Sequence, residues 1–261
     1  MAWDLDPVLA TVFGRDIYWY GVMLACGVVH GGWYVIRLLE ADKQTYFFRL
    51  ASVGTLCAVV FARLGHFAIY DPATLTISRF LDIRNHPGWS SHGAVIGLIL
   101  SVALLARFTK GIDSFILLGQ CSVGSLAVAG WVRIGNFFQS EIVGTVTDVP
   151  WAIVFTRFDG LARHPVQLYE AAGYFFFFFL FDRQLRSGRI ARNRLFLVVG
   201  LALSTFRFLI EYFKESAQIT LSVLALTPGQ WASAASGIAF AAALAAWSGM
   251  QGTVRKSRKA G

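Results

Sequence analysis

Ionisable residues recur inside the most apolar parts of this chain, and their types point to recognition of an anion. Arg63 and His66 share one apolar run, and His92 opens the next. Arg133 closes a fourth run, with Asn136, Gln139 and Glu141 behind it. His164, Gln167, Tyr169 and Glu170 open the fifth, and Arg207 and Glu211 stand one helical turn apart in the sixth. Charges at bilayer depth are costly and persist where they face a protein interior or a watery cavity. Arg207 and Glu211 can pair along one helix face, which would make them a self-neutralising structural pair. Arg63 and Arg133 have no acidic residue within one turn on their own helices. Arginines gathered round one cavity call for an anion, and the planar guanidinium suits phosphate because it donates two parallel hydrogen bonds. A lone His92 reads as a structural histidine. Beside an arginine cluster it becomes a candidate proton acceptor, since imidazole titrates near neutral pH.

The elements that must position these groups are membrane helices. Of the 261 residues 56% are hydrophobic and only 15% charged, and the mean hydropathy of +0.58 is too high for a water-facing domain. The formal charge of +8 is not a nucleic-acid footprint, because the basic residues sit in short breaks between apolar runs. No nucleic-acid partner is expected. A hydrocarbon core about 30 Å thick needs about 20 apolar residues per helix, and about seven windows offer them: 17–36, 50–70, 94–106, 115–138, 168–181, 195–213 and 231–250. The third and fifth are short and need their less apolar flanks. Alternate connections carry the positive charge: Arg37, Lys43 and Arg49; Arg107 and Lys110; Arg183 to Arg194; and Arg255 to Lys259. The positive-inside rule places these in the cytoplasm.

The expectation is therefore an all-α polytopic membrane protein with its N-terminus outside (periplasmic) and its C-terminus cytoplasmic. Residues 1–261 read as a single membrane domain without repeats. The acidic lead-in of Asp4, Asp6 and Asp16 is the reverse of a signal peptide's basic start, so no cleavage is expected. A small extracytoplasmic cap is expected at about 140–166, with a strand over 149–155. Phe175 to Phe179 should point all round a helix, into packing and lipid. Cys26, Cys57 and Cys121 lack ligand spacing and are expected to be buried small hydrophobes.

Taken together, the motifs resemble a known family. Val132-Arg133-Ile134-Gly135-Asn136-Phe137-Phe138-Gln139-Ser140-Glu141-Ile142-Val143-Gly144 is similar to the signature of prolipoprotein diacylglyceryl transferases, usually G-R-x-G-N-F-x-N-x-E-x-x-G. Further blocks agree in order: Trp19-Tyr20-Gly21, Ala62-Arg63-Leu64-Gly65, Ser91-His92-Gly93, Arg163-His164-Pro165-Val166-Gln167-Leu168-Tyr169-Glu170, Arg207-Phe208-Leu209-Ile210-Glu211 and Gly229-Gln230.

The resemblance implies transfer of a diacylglyceryl group from phosphatidylglycerol to the lipobox cysteine of a preprolipoprotein signal peptide, in the bacterial inner membrane. It implies no cofactor and no metal. It also implies that Arg133 and Arg207 hold the lipid phosphate, that Asn136 and Glu141 position Arg133 or the head group, and that His92 is the candidate base. Tyr20, Arg63, Gly144, His164 and Glu211 would complete the substrate site. The sequence departs from the family pattern at Val132, Ala94, Gln139 and Lys214, where Gly, Gly, Asn and Arg are usual. A diverged paralogue with another lipid or acceptor is thus one alternative. A lipid transporter is a second, although no matching halves are evident. A non-catalytic lipid-binding protein is the third.

Overall fold

The structure is a computed structural model that describes residues 1–39, 44–70, 75–82, 85–86, 88, 90–108, 113–215 and 226–260. Among these are helices α1 (Trp19–Leu38), α2 (Gln44–Tyr70), α3 (Ile77–Leu81), α4 (Ser91–Phe108), α5 (Ser114–Phe138), α6 (Val166–Arg186), α7 (Leu195–Ile210) and α8 (Pro228–Ala260). Each apolar window read from the sequence overlaps one of the longer helices, and α4 and α6 gain length by recruiting their polar flanks. Four described segments are long and apolar enough to cross a membrane: Trp19–Leu38, Ala51–Ala68, Ser114–Phe138 and Arg192–Phe213. Gly93–Leu105 is a shorter apolar stretch. The protein is a mostly helical membrane protein. Its contacts divide it into two compact units, one of Met1–Tyr34 with Gly119–Gly261 and one of Val35–Leu118.

In the Val35–Leu118 unit, α4 packs on α2 backbone to backbone. A Cβ on Gly93 would lie 2.1 Å from the Phe61 carbonyl oxygen, and one on Gly97 would lie 2.4 Å from that of Cys57. The Gly-x-x-x-Gly spacing is thus a helix-packing seam. Arg63, 1% exposed, ties the connection between the two helices. Its Nη1 donates to the carbonyls of His86 at 2.8 Å and Gly88 at 3.0 Å, its Nη2 to Arg79 at 2.7 Å and its Nε to Phe80 at 3.2 Å.

In the other unit, α1 meets α5 where a Cβ on Gly31 would come within 2.6 Å of the Gly124 carbonyl. Helices α7 and α8 share a Ser204–Ser236 hydrogen bond of 2.9 Å. The Phe run does face all round α6: Phe178 is buried, whereas Phe176 and Phe179 are exposed. The non-helical parts are short strands β1 (Ala2–Trp3), β2 (Val8–Val12), β3 (Arg15–Tyr18), β4 (Ile153–Phe155) and β5 (Ala162–Arg163). Strand β4 lies between β1, which is parallel to it, and β5, which is antiparallel. Phe137, Val143, Ile153 and Phe155 form a core that Trp3 and Leu168 join, so this sheet is seated on the C-terminal end of α5.

Two expectations change. The strand expected over 149–155 shortens to β4, because Val149 to Trp151 make a turn closed by the Ala152 amide on the Val149 carbonyl at 2.9 Å, and Pro150 has no amide to give a sheet. The cysteines are not all buried: Cys26 is exposed and Cys57 and Cys121 are intermediate. In lipid an apolar side chain needs no protein cover, so burial no longer follows from hydrophobicity.

Candidate functional site

Glu170, in the first turns of α6, is fully buried at 0% exposure and organises the site. Its Oε1 takes the Arg207 guanidinium in a close ion pair and the Lys214 ammonium at 3.0 Å. Its Oε2 lies 3.1 Å from Arg133 Nε, off the hydrogen-bond line, so that contact is one of charge. Glu211 forms the other wall, 3.5 Å from Arg207 and 3.4 Å from Lys214. The cluster of Arg133, Arg207 and Lys214 with Glu170 and Glu211 therefore carries three positive charges against two negative, a net charge of +1. A carboxylate buried this completely is tolerable only while its cations stay in place.

Local structure explains why these groups meet. Residues 143–145 stitch the start of α6 to the end of α7. The Gly144 amide donates to the His164 carbonyl at 3.1 Å, the Thr145 amide to the Phe213 carbonyl at 2.9 Å, and the Glu215 amide to the Val143 carbonyl at 3.1 Å. Only glycine fits at 144, because a Cβ there would lie 2.4 Å from the His164 carbonyl oxygen.

Arg163 locks the same seam from outside the spans. It donates to the Gly144 carbonyl at 2.8 Å, to Glu215 at 2.7 Å and to Asp159 at 2.9 Å. The hydrogen bond from Arg163 holds the Asp159 carboxyl below the usual carboxylate range. Behind Glu211, α8 opens with a capping box: the Thr227 amide bonds to Gln230 Oε1 at 3.0 Å and the Gln230 amide bonds to Thr227 Oγ1 at 3.1 Å. Thr227 Oγ1 also donates to Glu211 at 3.4 Å.

The long signature motif turns a corner at the end of α5. Arg133 Nη1 donates to Asn136 Oδ1 at 3.4 Å, and Asn136 Nδ2 donates to Glu141 Oε2 at 3.4 Å. The Glu141 backbone is held on both sides, its amide on the Asn136 carbonyl at 3.0 Å and its carbonyl by Gln167 Nε2 at 2.8 Å. Its neighbours Ser140 and Ile142 have φ of 56° and 54°, a left-handed conformation unfavourable for a β-branched residue. Such strain persists where surrounding contacts over-determine the backbone, and here it fixes the direction of Glu141. Tyr20 on α1 reaches the same corner, its ring carbon 3.1 Å from where a Cβ on Gly135 would stand. His164 Nδ1 lies 3.2 Å from the Tyr169 hydroxyl, which accepts from Trp151 Nε1 at 2.6 Å.

The structure thus gathers Arg133, Asn136, Glu141, Gly144, Arg207 and Glu211, with Tyr20 and His164 packed at the margin. Arg207 and Glu211 do not form a closed pair, because Arg207 makes its shorter contact with Glu170. Arg133, without an acid on its own helix, finds one on α6. Arg63 belongs to the Val35–Leu118 unit, where all three of its guanidinium nitrogens engage backbone carbonyls. His92 is in the first turn of α4, and its side chain lies outside the described residues.

The reading from sequence understated Glu170, grouped there only with its motif block, and passed over Lys214, Arg163 and Thr227 as functional. Lys214 was legible only as a departure from the family pattern. The Thr-x-x-Gln cap before an apolar run was a readable signal.

Comparison with known proteins gives the family of the chain. A family model for prolipoprotein diacylglyceryl transferase matches residues 7–247. The chain is 33% identical over 249 residues to a phosphatidylglycerol–prolipoprotein diacylglyceryl transferase of Bacteroides fragilis, with 88% of this chain and 89% of that one covered. It is 34% identical over 239 residues to the enzyme of that name from Chloroherpeton thalassium, covering 88% of each. It is 33% identical over 243 residues to one from Tolumonas auensis, covering 88% and 91%. The match runs through both compact units and contains every residue of the ion cluster and its supports, so this chain belongs to the prolipoprotein diacylglyceryl transferase family.

Proposed function

We propose that the chain transfers a diacylglyceryl group from phosphatidylglycerol to the lipobox cysteine of preprolipoprotein signal peptides. The observation that carries this reading is the cationic cluster on Glu170. Three cations on two carboxylates leave one positive charge held in fixed geometry, the provision that a departing phosphate ester needs.

In this scheme the cysteine thiol gives up its proton and the sulfur attacks the glycerol carbon that bears the phosphate. A C–S bond forms, the C–O bond breaks, and its electron pair leaves with the phosphate as glycerol phosphate. Arg133 and Arg207 bind that phosphate and stabilise its growing charge, and Lys214 adds a third donor. Asn136 and Glu141 hold Arg133, Glu211 holds Arg207, and Tyr20, Gly144 and His164 shape the surroundings. His92 is the candidate base, a role that rests on the resemblance and on imidazole chemistry. Arg63 acts through the connection it ties rather than on the lipid.

The topology that fits is seven spans in the bacterial inner membrane, with the N-terminus and the segment 140–166 outside and the basic connections and C-terminus in the cytoplasm. The alternation of basic and non-basic connections supports it. Residues 1–261 act as one transferase domain. Of the departures, Ala94 is partly exposed on α4, while the close approach to α2 is made by Gly93, so alanine at 94 leaves that seam intact.

The test is purified protein in detergent with phosphatidylglycerol and a synthetic lipobox peptide, following peptide mass and glycerol phosphate release. Diacylglyceryl addition that is lost in Arg133→Ala supports the reading. Lipid binding with neither product formed overturns it and leaves a lipid-binding paralogue.

A further inference from the structure

Strands β2 and β3 form a hairpin that joins no buried core among the described residues. Val12 pairs with Arg15, Thr11 with Asp16 and Ala10 with Ile17, and every residue from Leu9 to Tyr18 is exposed. A lone two-stranded hairpin is marginal in water at best. This one presents Leu9, Val12, Phe13, Ile17 and Tyr18 to its surroundings.

The tip is the least water-compatible part. Phe13 and Gly14 have φ of 52° and 73°, the mirror-image turn in which asparagine followed by glycine is the favoured pair. An aromatic residue in the left-handed region is unfavourable, and Phe13 is also 100% exposed. A phenylalanine kept fully exposed at a turn position that favours asparagine points to a surrounding phase that rewards the ring.

The base of the hairpin fixes which phase that is. The Trp19 amide donates to the Pro7 carbonyl at 3.0 Å, closing the hairpin on the first residue of α1, a helix long and apolar enough to cross a membrane. The Trp19 ring stacks on Phe138 at 5.0 Å, where α5, another such helix, ends. Tyr18, Trp19 and Tyr20 therefore form an aromatic run at the ends of two spans, the level at which such rings mark the membrane–water boundary. The strands start from that level and extend for about 17 Å.

We propose that the β2–β3 hairpin is an interfacial membrane anchor, lying along the lipid surface beside the start of α1 with Phe13 at the headgroup–acyl boundary. Arg15, at the turn, meets lipid phosphates there, and Asp16 is occupied by Thr11 at 2.7 Å. The seat is continuous with the lipid around α1 and does not depend on the transferase chemistry.

Two measurements on the full chain in phosphatidylglycerol-containing vesicles test this. In a Cys26→Ser, Cys57→Ser, Cys121→Ser background, a nitroxide on Phe13→Cys is expected to collide with oxygen several-fold more often than with an aqueous nickel chelate. In the otherwise unaltered chain, the emission added by Phe13→Trp is expected to be quenched by lipids brominated along the acyl chain and spared by acrylamide. Free access of the chelate and of acrylamide overturns the proposal. Protection that arises only after a lipobox peptide is added also overturns it, because it assigns the hairpin to a polypeptide.

Discussion

Arginine set in apolar helices is handled in opposite ways in the two units. In the Val35–Leu118 unit, Arg63 spends its guanidinium on the carbonyls of Arg79, Phe80, His86 and Gly88. These are neutral dipoles that fix a connection and use up the donors. In the other unit, Arg133 and Arg207 converge with Lys214 on Glu170 and Glu211, so formal charges are set against each other and one positive charge is left over. The first arrangement is a tie. The second is a preorganised field whose remaining charge can be offered to an anion. Arginine at membrane depth is thus not by itself evidence of a ligand, since what engages its donors decides the matter.

The sharpest way to break the contrast is to remove the hub. Glu170→Ala strands three cations beside a missing carboxylate, and the loss of one partner from a buried ion cluster costs about 3–5 kcal/mol. Thermal unfolding in detergent should shift down by several degrees, with transferase activity abolished. If Glu170→Ala folds and works normally, the cluster is not the organising element.

Next come the two arginines compared directly. Arg133→Lys keeps the charge but loses the planar fork, and is expected to lower kcat by about 100-fold, in the range seen when a donor to a developing anion is lost, with little change in melting. Arg63→Lys should do the reverse, lowering the melting temperature because carbonyls lose their donors, with activity falling only in step with the loss of folded protein. If both substitutions give the same pattern, the distinction between tie and field fails.

The smallest effect concerns Lys214, just beyond the span that ends at Phe213. Burial pushes its ammonium below the usual lysine range, and the charge of Glu170 pushes it back up. Because the net shift is downward, Lys214 loses its proton at a lower pH than a free lysine would as pH rises, and the cluster loses its surplus charge with it. Lys214→Arg keeps the charge throughout and should move the alkaline fall in activity to higher pH, with the neutral-pH rate changed only a few-fold. An unmoved alkaline limb would remove Lys214 from the field.

Much of this was legible in the residues. The helices announced themselves because apolar runs of bilayer length are a local property of the chain. The polar site residues were conspicuous by being set in or beside those runs. The partners were not legible. Glu170 lies 37 residues from both Arg133 and Arg207, so no spacing rule joins them, and the nearer acid, Glu211, is the weaker contact. Nothing in the residue types at Ser140 and Ile142 signals a left-handed backbone, because that conformation is imposed by the hydrogen bonds on either side of Glu141. The N-terminal segment likewise gave no strong strand signal, since β1 exists only by pairing with β4.

The sequence by itself determined that the solvent is lipid, where the apolar helices fall, and which motif residues identify the family, because composition and short motifs survive without knowledge of what touches what. Only the tertiary structure decided that Glu170 is the hub, that Arg63 is a tie, and that the Phe13 hairpin stands free of the core. The hub depends on contacts between segments far apart in sequence, above all the backbone seam at residues 143–145 that draws the start of α6 to the end of α7, and the tie on Arg63 side-chain bonds to the carbonyls of a connection 16 to 25 residues away.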